Sequence, residues 1–291
     1  MLTFVFKMSQ PVRRAAVAGT WYSDRPDVLA RDVDQCLSHV RERIEGEIVG
    51  LVAPHAGLVY SGPVAAYAYQ AVVGRAYDVV VLVGPSHYVG FEGVAIARRG
   101  SFETPLGSVQ ISEETADAIA AASPVVRDLP AAHAREHSLE MQLPFLQRVL
   151  PGTPIVPLVM GHQTPATVAG LAGALSAVLS DRRALLVASS DLSHFQAAPR
   201  AARLDAIVVD AINRFDPEML ARAFAKFPDH ACGGGPILAV MRASRDLGAA
   251  DARVTRYGDS GDVSGDKTSV VGYASAVLGT LSTGPVEDAD R

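Results

Sequence analysis

The chain has 291 residues, 49% hydrophobic and 20% charged, a composition that supports a sizeable buried core and excludes general disorder. Its 26 Lys and Arg against 31 Asp and Glu give a net charge of -5, and with a pI near 5.9 the chain lacks the basic balance of a general nucleic-acid binder. Cys36 and Cys232 are the only cysteines, too few for a disulfide framework or a Cys-x-x-Cys zinc knuckle, and no apolar run is long enough for a membrane span, which predicts a soluble, cytoplasmic protein.

In chain order, residues 1–12 are expected to form a flexible leader; its MLTFVFKM is apolar but too short for the core of a signal peptide. A first helix is expected from about Pro26 to residue 45, with Ser23 or Asp24 as cap and Leu29, Val33, Leu37 and Val40 at helical spacing. A Val- and Leu-rich strand then stops at His55, and Gly62-Pro63 opens a second helix. The next strand ends at His87. The runs from Gly93 and Ser108 are expected to pair as short strands around the turn that begins at Phe102. Helices are predicted over 112–122 and over 136–150, the latter bent at Pro144. A strand leading to His162, a helix over 165–180 and a strand ending at Asp191 continue the alternation. Helices over 201–215, over 217–227 and from the HACGGGP turn to about Leu247 follow. Two strands, from Arg253 and from Ser269, close the chain around the Asp-rich segment 259–267, before a flexible tail over 281–291. The pattern predicts one α/β domain over 13–280, with a central mixed, largely parallel sheet flanked by helices.

Ligand sites in open α/β sheets lie at the carboxyl ends of strands. One such edge would gather His55, His87, Asp191 and His194, with His162 as a neighbour. Two histidines on tight turns suit a transition metal, and Cys232 or Asp191 is the candidate third ligand. The same Cys232 with His194 and Asp191 also holds the ingredients of a thiol nucleophile, its base and an orienting carboxylate, which would leave His55 and His87 without a role. His137 and Glu140, at i and i+3 on the expected helix, are assigned to a helix-face hydrogen bond, and His39 and His133 to the surface. His230 is given a place in the pocket wall, Gly233 to Gly235 offer an anion cradle without a phosphate loop's Lys, and segment 259–267 reads as a turn rather than a calcium loop.

The motifs AGTWY around Trp21, APHAGLVYSG around His55, GPSH ending at His87, FETPLG, EHSLEMQLPFL, SSDLSHF, CGGGPI and GDKTSVVGYAS stand in an order that resembles the Memo family, also named AmmeMemoRadiSam system protein B. The resemblance runs from about Arg13 to Leu278 and implies a fold similar to LigB-type class III extradiol dioxygenases. It implies His55, His87 and Cys232 as metal ligands, with Asp191 and His194 as catalytic neighbours and Trp21, Tyr60, Ser86, His162 and Gly233 around the pocket. The carboxylate ligand of the dioxygenases is replaced by the Cys. Iron or copper is the expected metal, ahead of zinc, for redox or oxygen chemistry on an unknown small molecule. The alternative is a protein-interaction module that binds a peptide, or the AMMECR-type and radical SAM proteins, in the same pocket.

Overall fold

Apolar runs with no polar interruption become strands covered on both faces, and three such runs form the middle of the molecule. In the computed structural model, which describes residues 11–282, the strands are β1 (Val12–Arg13), β2 (Glu45–Ala53), β3 (Val79–Pro85), β4 (Val94–Ile96), β5 (Ser101–Thr104), β6 (Gly107–Gln110), β7 (Val126–Asp128), β8 (Ile155–Met160), β9 (Ala184–Ser189), β10 (His194–Gln196), β11 (Asp251–Asp259) and β12 (Val270–Ser282). Every residue of β3, β8 and β9 is buried. The main sheet runs β10-β12-β2-β9-β3-β8-β4-β7, with β11 paired to β12, while β1, β5 and β6 form a small separate sheet. Pairing is parallel through the centre, β2 to β9 to β3 to β8. It is antiparallel where β12 joins β2 and where β4 joins β8. The α/β class and the mixed sheet are as expected.

The helices are α1 (Pro26–Ser38), α2 (Leu58–Gln70), α3 (Glu113–Ala122), α4 (Pro130–His133), α5 (Leu143–Val149), α6 (Pro165–Leu179), α7 (Ala198–Asn213), α8 (Pro217–Lys226), α9 (Gly234–Asp246) and α10 (Gly261–Ser264). Helix α2 packs on β2, β11 and β12 beside α1 and α5, whereas α9 packs on β9, β2 and β3 beside α6 and α8. Leu51, Leu82, Val187, Tyr69 and Met241 are among the fully buried side chains between these layers.

Several local expectations are corrected. Helix α1 stops at Ser38, and neither Ser23 nor Asp24 caps it, since the N-cap is Arg25 without a side-chain bond. Helix α2 starts at Leu58 and carries Pro63 inside it. The Gly93 run becomes β4, which pairs with β7 and β8, so the Ser108 run pairs instead with β5 across Gly107, at φ +116°. The helix expected over 136–150 is only α5 preceded by a short 3₁₀ turn, Glu140–Gln142, because Pro144 sits in the first turn of α5, where its missing N–H costs nothing. Residues 136–138 are thereby freed as a loop. The expected leader and tail fall largely on residues 1–10 and 283–291, which lie outside the described residues. Val12 pairs with Ser101, and Leu281 and Ser282 pair with β2.

Candidate metal centre

The adjacency of β2, β9 and β3 dictates the site. Each ends at the same edge, and the turn after each presents its polar residue: His55 after β2, Asp191 after β9 and His87 after β3. Cys232 arrives from the loop ahead of α9, held by its amide donating to the Asp191 carbonyl at 3.2 Å. The ligand atoms of His55, His87 and Cys232 lie within 4.8 Å of one another, and the two imidazole centroids are 5.1 Å apart, edge to face.

A hydroxyl has one proton, and that limit fixes the His55 tautomer. Ser189 Oγ donates to the Ser138 carbonyl at 2.6 Å and accepts from Gln142 Nε2 at 2.8 Å, so toward His55 Nδ1, 2.9 Å away, it can only accept. Nδ1 therefore carries the proton and Nε2 keeps its lone pair, 3.3 Å from the Cys232 sulfur. Burial, followed by repulsion from His87, holds the His55 imidazole neutral by driving its pKa well below the usual value. Gln142 is itself aimed by Tyr69, whose hydroxyl donates to Oε1 at 2.6 Å, and by the Pro54 carbonyl, which accepts from Nε2 at 3.1 Å.

His87 is fixed by a carboxylate. Glu136 Oε2 accepts from the His87 amide at 2.6 Å, and Oε1 accepts from His87 Nδ1 and from the Ser138 amide, both at 2.9 Å. Burial pushes the Glu136 carboxyl up, but these donors outweigh it and bring it down to about 2. The ionised carboxylate makes Nδ1 the protonated nitrogen and leaves Nε2 of His87 free, an arrangement found behind metal-bound histidines. His137 stacks on His87 with centroids 4.4 Å apart and meets Trp21 at 4.3 Å. Its Nδ1 is buried without a hydrogen-bond partner, and burial, then the neighbouring His55 and His87, lowers its pKa to about 3. His87, Glu136 and His137 also bring ligand atoms within 4.8 Å, but Glu136 is already bonded to His87.

Cys232 sits half-buried on the cavity as a thiol whose pKa is raised, first by desolvation and then by Asp191. Its sulfur accepts from the Asp191 amide at 3.3 Å. Asp191 Oδ1 accepts from the amides of His55 at 2.7 Å and Ala56 at 3.3 Å, so this carboxylate ties the His55 turn to the end of β9. His194 uses Nδ1 to bond the Leu192 carbonyl at 2.7 Å. Among the described residues no hydrogen bond links Asp191 to His194 or His194 to Cys232, so the nucleophile arrangement is not assembled.

A cavity of about 960 Å³ opens on this edge, with His87, His194 and Cys232 at its base. Trp21 and Tyr60 line a separate cavity of about 800 Å³. Ser86 bonds the Val89 carbonyl at 2.7 Å, and Gly233 is required where it is, since a Cβ there would lie 2.6 Å from the Ser189 carbonyl oxygen. His162 stands off the site, 60% exposed and bonded to Glu92 at 2.8 Å. His230 is buried. His133, expected on the surface, is 3% exposed against Phe102. Glu140, expected to pair with His137, instead accepts from Arg13, the Ala16 and Val17 amides and Tyr22. In segment 259–267 the Lys267 ammonium lies 2.7 Å from Asp259 and 2.6 Å from Asp262, in keeping with a turn. Glu136, Ser138, Gln142 and Ser189 have no role in the sequence reading, and His137 has one only as a helix-face partner of Glu140; Pro144, read as a helix start, is the signal that places the EHS segment in a loop.

Residues 13–277 match the model of the Memo-like protein family. A MEMO1 family protein of Pyrobaculum aerophilum is 38% identical over 277 residues, 92% of this chain and 99% of the relative. One from Methanothermobacter thermautotrophicus is 38% identical over 276 residues, 90% and 99%. One from Thermotoga maritima is 35% identical over 278 residues, 91% and 99%.

Proposed function

The chain belongs to the Memo-like family, and from that premise we propose that His55, His87 and Cys232 hold one iron or copper ion for redox chemistry on a small molecule. The observation that carries the reading is the pair of second bonds, Ser189 to His55 and Glu136 to His87, which leave both Nε2 lone pairs free where the two imidazoles and the Cys232 sulfur bring ligand atoms within 4.8 Å of one another. Two imidazoles and a thiolate suit copper or iron, and three donors leave positions open. A bound ion would supply redox chemistry toward oxygen or an organic substrate. His194, with Nδ1 committed to a carbonyl, presents its other nitrogen for proton transfer at the cavity base. Asp191 positions His55 and Cys232 through backbone bonds.

The test is anaerobic reconstitution with ferrous iron, copper(I) and zinc in parallel, on the natural chain and on His55→Ala and Cys232→Ala. Near-stoichiometric iron or copper, lost in both folded variants, is expected. Equal metal content in all three proteins would overturn the assignment.

A second reading, a module that docks the AMMECR-type and radical SAM proteins, is favoured by two exposed aromatic side chains, Phe195 on the cavity at 76% and Tyr88 against His137 at 47%. Co-purification with those proteins, compared between the natural chain and Phe195→Ser, tests it. The free cysteines, and the lack of any described helix long and apolar enough to cross a membrane, support a cytoplasmic setting.

A further inference from the structure

The 960 Å³ cavity has a direction. Gly234, Leu238 and Arg242 line it at i, i+4 and i+8 on α9, one stripe of one helix. At 1.5 Å rise per residue the stripe runs about 12 Å from the Cys232 end to Arg242. Ala221, Phe224 and Ala225 of α8 give the cavity a second apolar wall. Its two charged liners lie in different segments: Asp229 in the turn just ahead of Cys232, and Arg242 two helical turns beyond Leu238's upstream neighbour Gly234. Arg242 bonds Glu218 through Nη2 alone, at 2.7 Å, so the guanidinium retains donors for a second anion. Phe195, which also lines the cavity, is held at φ +57°, a left-handed conformation rare for a non-glycine residue, and shows 76% of its surface. A cavity with apolar walls, a carboxylate on the segment that leads into Cys232 and a guanidinium about 12 Å along α9 selects both shape and orientation.

We propose that the cavity takes a small organic acid, with an apolar body spanning about 12 Å and an anionic end held by Arg242, so that the opposite end faces His87, His194 and Cys232. Asp229 repels the anion from the metal end and enforces the same polarity. The volume suits a small molecule rather than a folded partner. The inference rests on the metal-site reading for what happens at the inner end, but the binding itself does not need the metal.

The experiment titrates the full-length protein with 6-phenylhexanoate and with its primary amide, by calorimetry, on the natural chain, Arg242→Gln and Glu218→Gln. The acid is expected to bind about tenfold tighter than the amide. Arg242→Gln should abolish that preference and leave metal content unchanged, and Glu218→Gln, which frees the guanidinium, should increase it. Equal binding of acid and amide by the natural chain, no binding of either, or an acid preference that survives Arg242→Gln would each overturn the proposal. Acid preference without any specific metal uptake would instead refute the metal reading and leave this one standing.

Discussion

Ser189 fixes the tautomer of His55, because its single proton lies on the Ser138 carbonyl oxygen, 2.6 Å away, and its hydroxyl can only accept from Nδ1. Ser189→Ala removes that acceptor and leaves one Gln142 Nε2 proton and the Ser138 carbonyl without their partner in a buried place. The variant should lose about 1–3 kcal/mol of stability and about 10- to 100-fold in metal affinity. Urea unfolding and competitive metal titration read the two effects separately; unchanged affinity would show that His55 needs no such orientation.

Glu136 should behave as the anionic partner of His87. Glu136→Gln keeps the size of the group but removes the charge that holds the Nδ1 proton, and metal affinity is expected to fall about tenfold. Because folding lowers this carboxyl to about 2 from an ordinary value of 4.5, its contribution is fully present above pH 4.5 and is lost as pH falls toward 2. Acid unfolding curves of the two proteins should therefore converge at the low end of that window.

The strand-end histidines were legible because their spacing depends on the chain alone: a buried apolar run, then Pro or Gly, then His. The bonds that make them ligands were not, since Ser138 and Ser189 are 51 positions apart and meet only when the β9 edge packs beside the loop after residue 135. Helical periodicity over 136–150 hid that loop, and propensity could not reveal that Glu140 would be taken up by Arg13 and Tyr22 from the other end of the chain. His133 carries no sequence mark of its burial, which arises from packing against Phe102 of the small sheet.

His133 should make the fold sensitive to mild acid. Burial, then Arg13, lowers its pKa to about 4 from 6.5, and its ring nitrogens have no well-aligned partner. The unfolded chain binds this proton first, so stability is full above pH 6.5 and declines as pH falls toward 4, by up to about 3 kcal/mol at about 1.4 kcal/mol per pH unit. His133→Leu removes this titration while the other groups stay in place. The difference between the two stability curves should be flat above pH 6.5 and should favour the variant increasingly below it; parallel curves would refute the account.

Gly84 tests the contact between β3 and the EHS loop. A Cβ there would lie 2.6 Å from Ser138 Oγ and 2.8 Å from Leu139 Cδ2. Gly84→Ala should displace the loop that carries Glu136 and His137, costing about 1–3 kcal/mol and weakening metal binding in the same variant. A distant strand variant, Gly279→Ala, whose Cβ would meet the Glu47 carbonyl oxygen at 1.9 Å, should cost at least as much stability and yet leave the metal affinity of the folded protein intact.

Trp21 is the chain's only tryptophan and its ring centroid lies 4.3 Å from that of His137, which makes its emission a report on the site. The segment bearing it is anchored at Glu140, fully buried, by the Ala16 amide at 2.8 Å, the Val17 amide at 3.0 Å, the Tyr22 hydroxyl and Arg13. Glu140→Gln leaves the Arg13 charge without its buried counterpart and should cost about 3–5 kcal/mol. If the anchor holds Trp21 against His137, this variant's emission should shift in the folded state, below its own unfolding transition, and respond less to metal addition than the natural chain's. Emission unchanged until global unfolding would mean that the ring contact with His137 holds Trp21 without the Glu140 anchor. Replacing both Arg13 by Met and Glu140 by Leu separates charge from position: it removes the uncompensated cation, so stability should partly return while the emission shift remains, because Leu offers the amides of Ala16 and Val17 no acceptor.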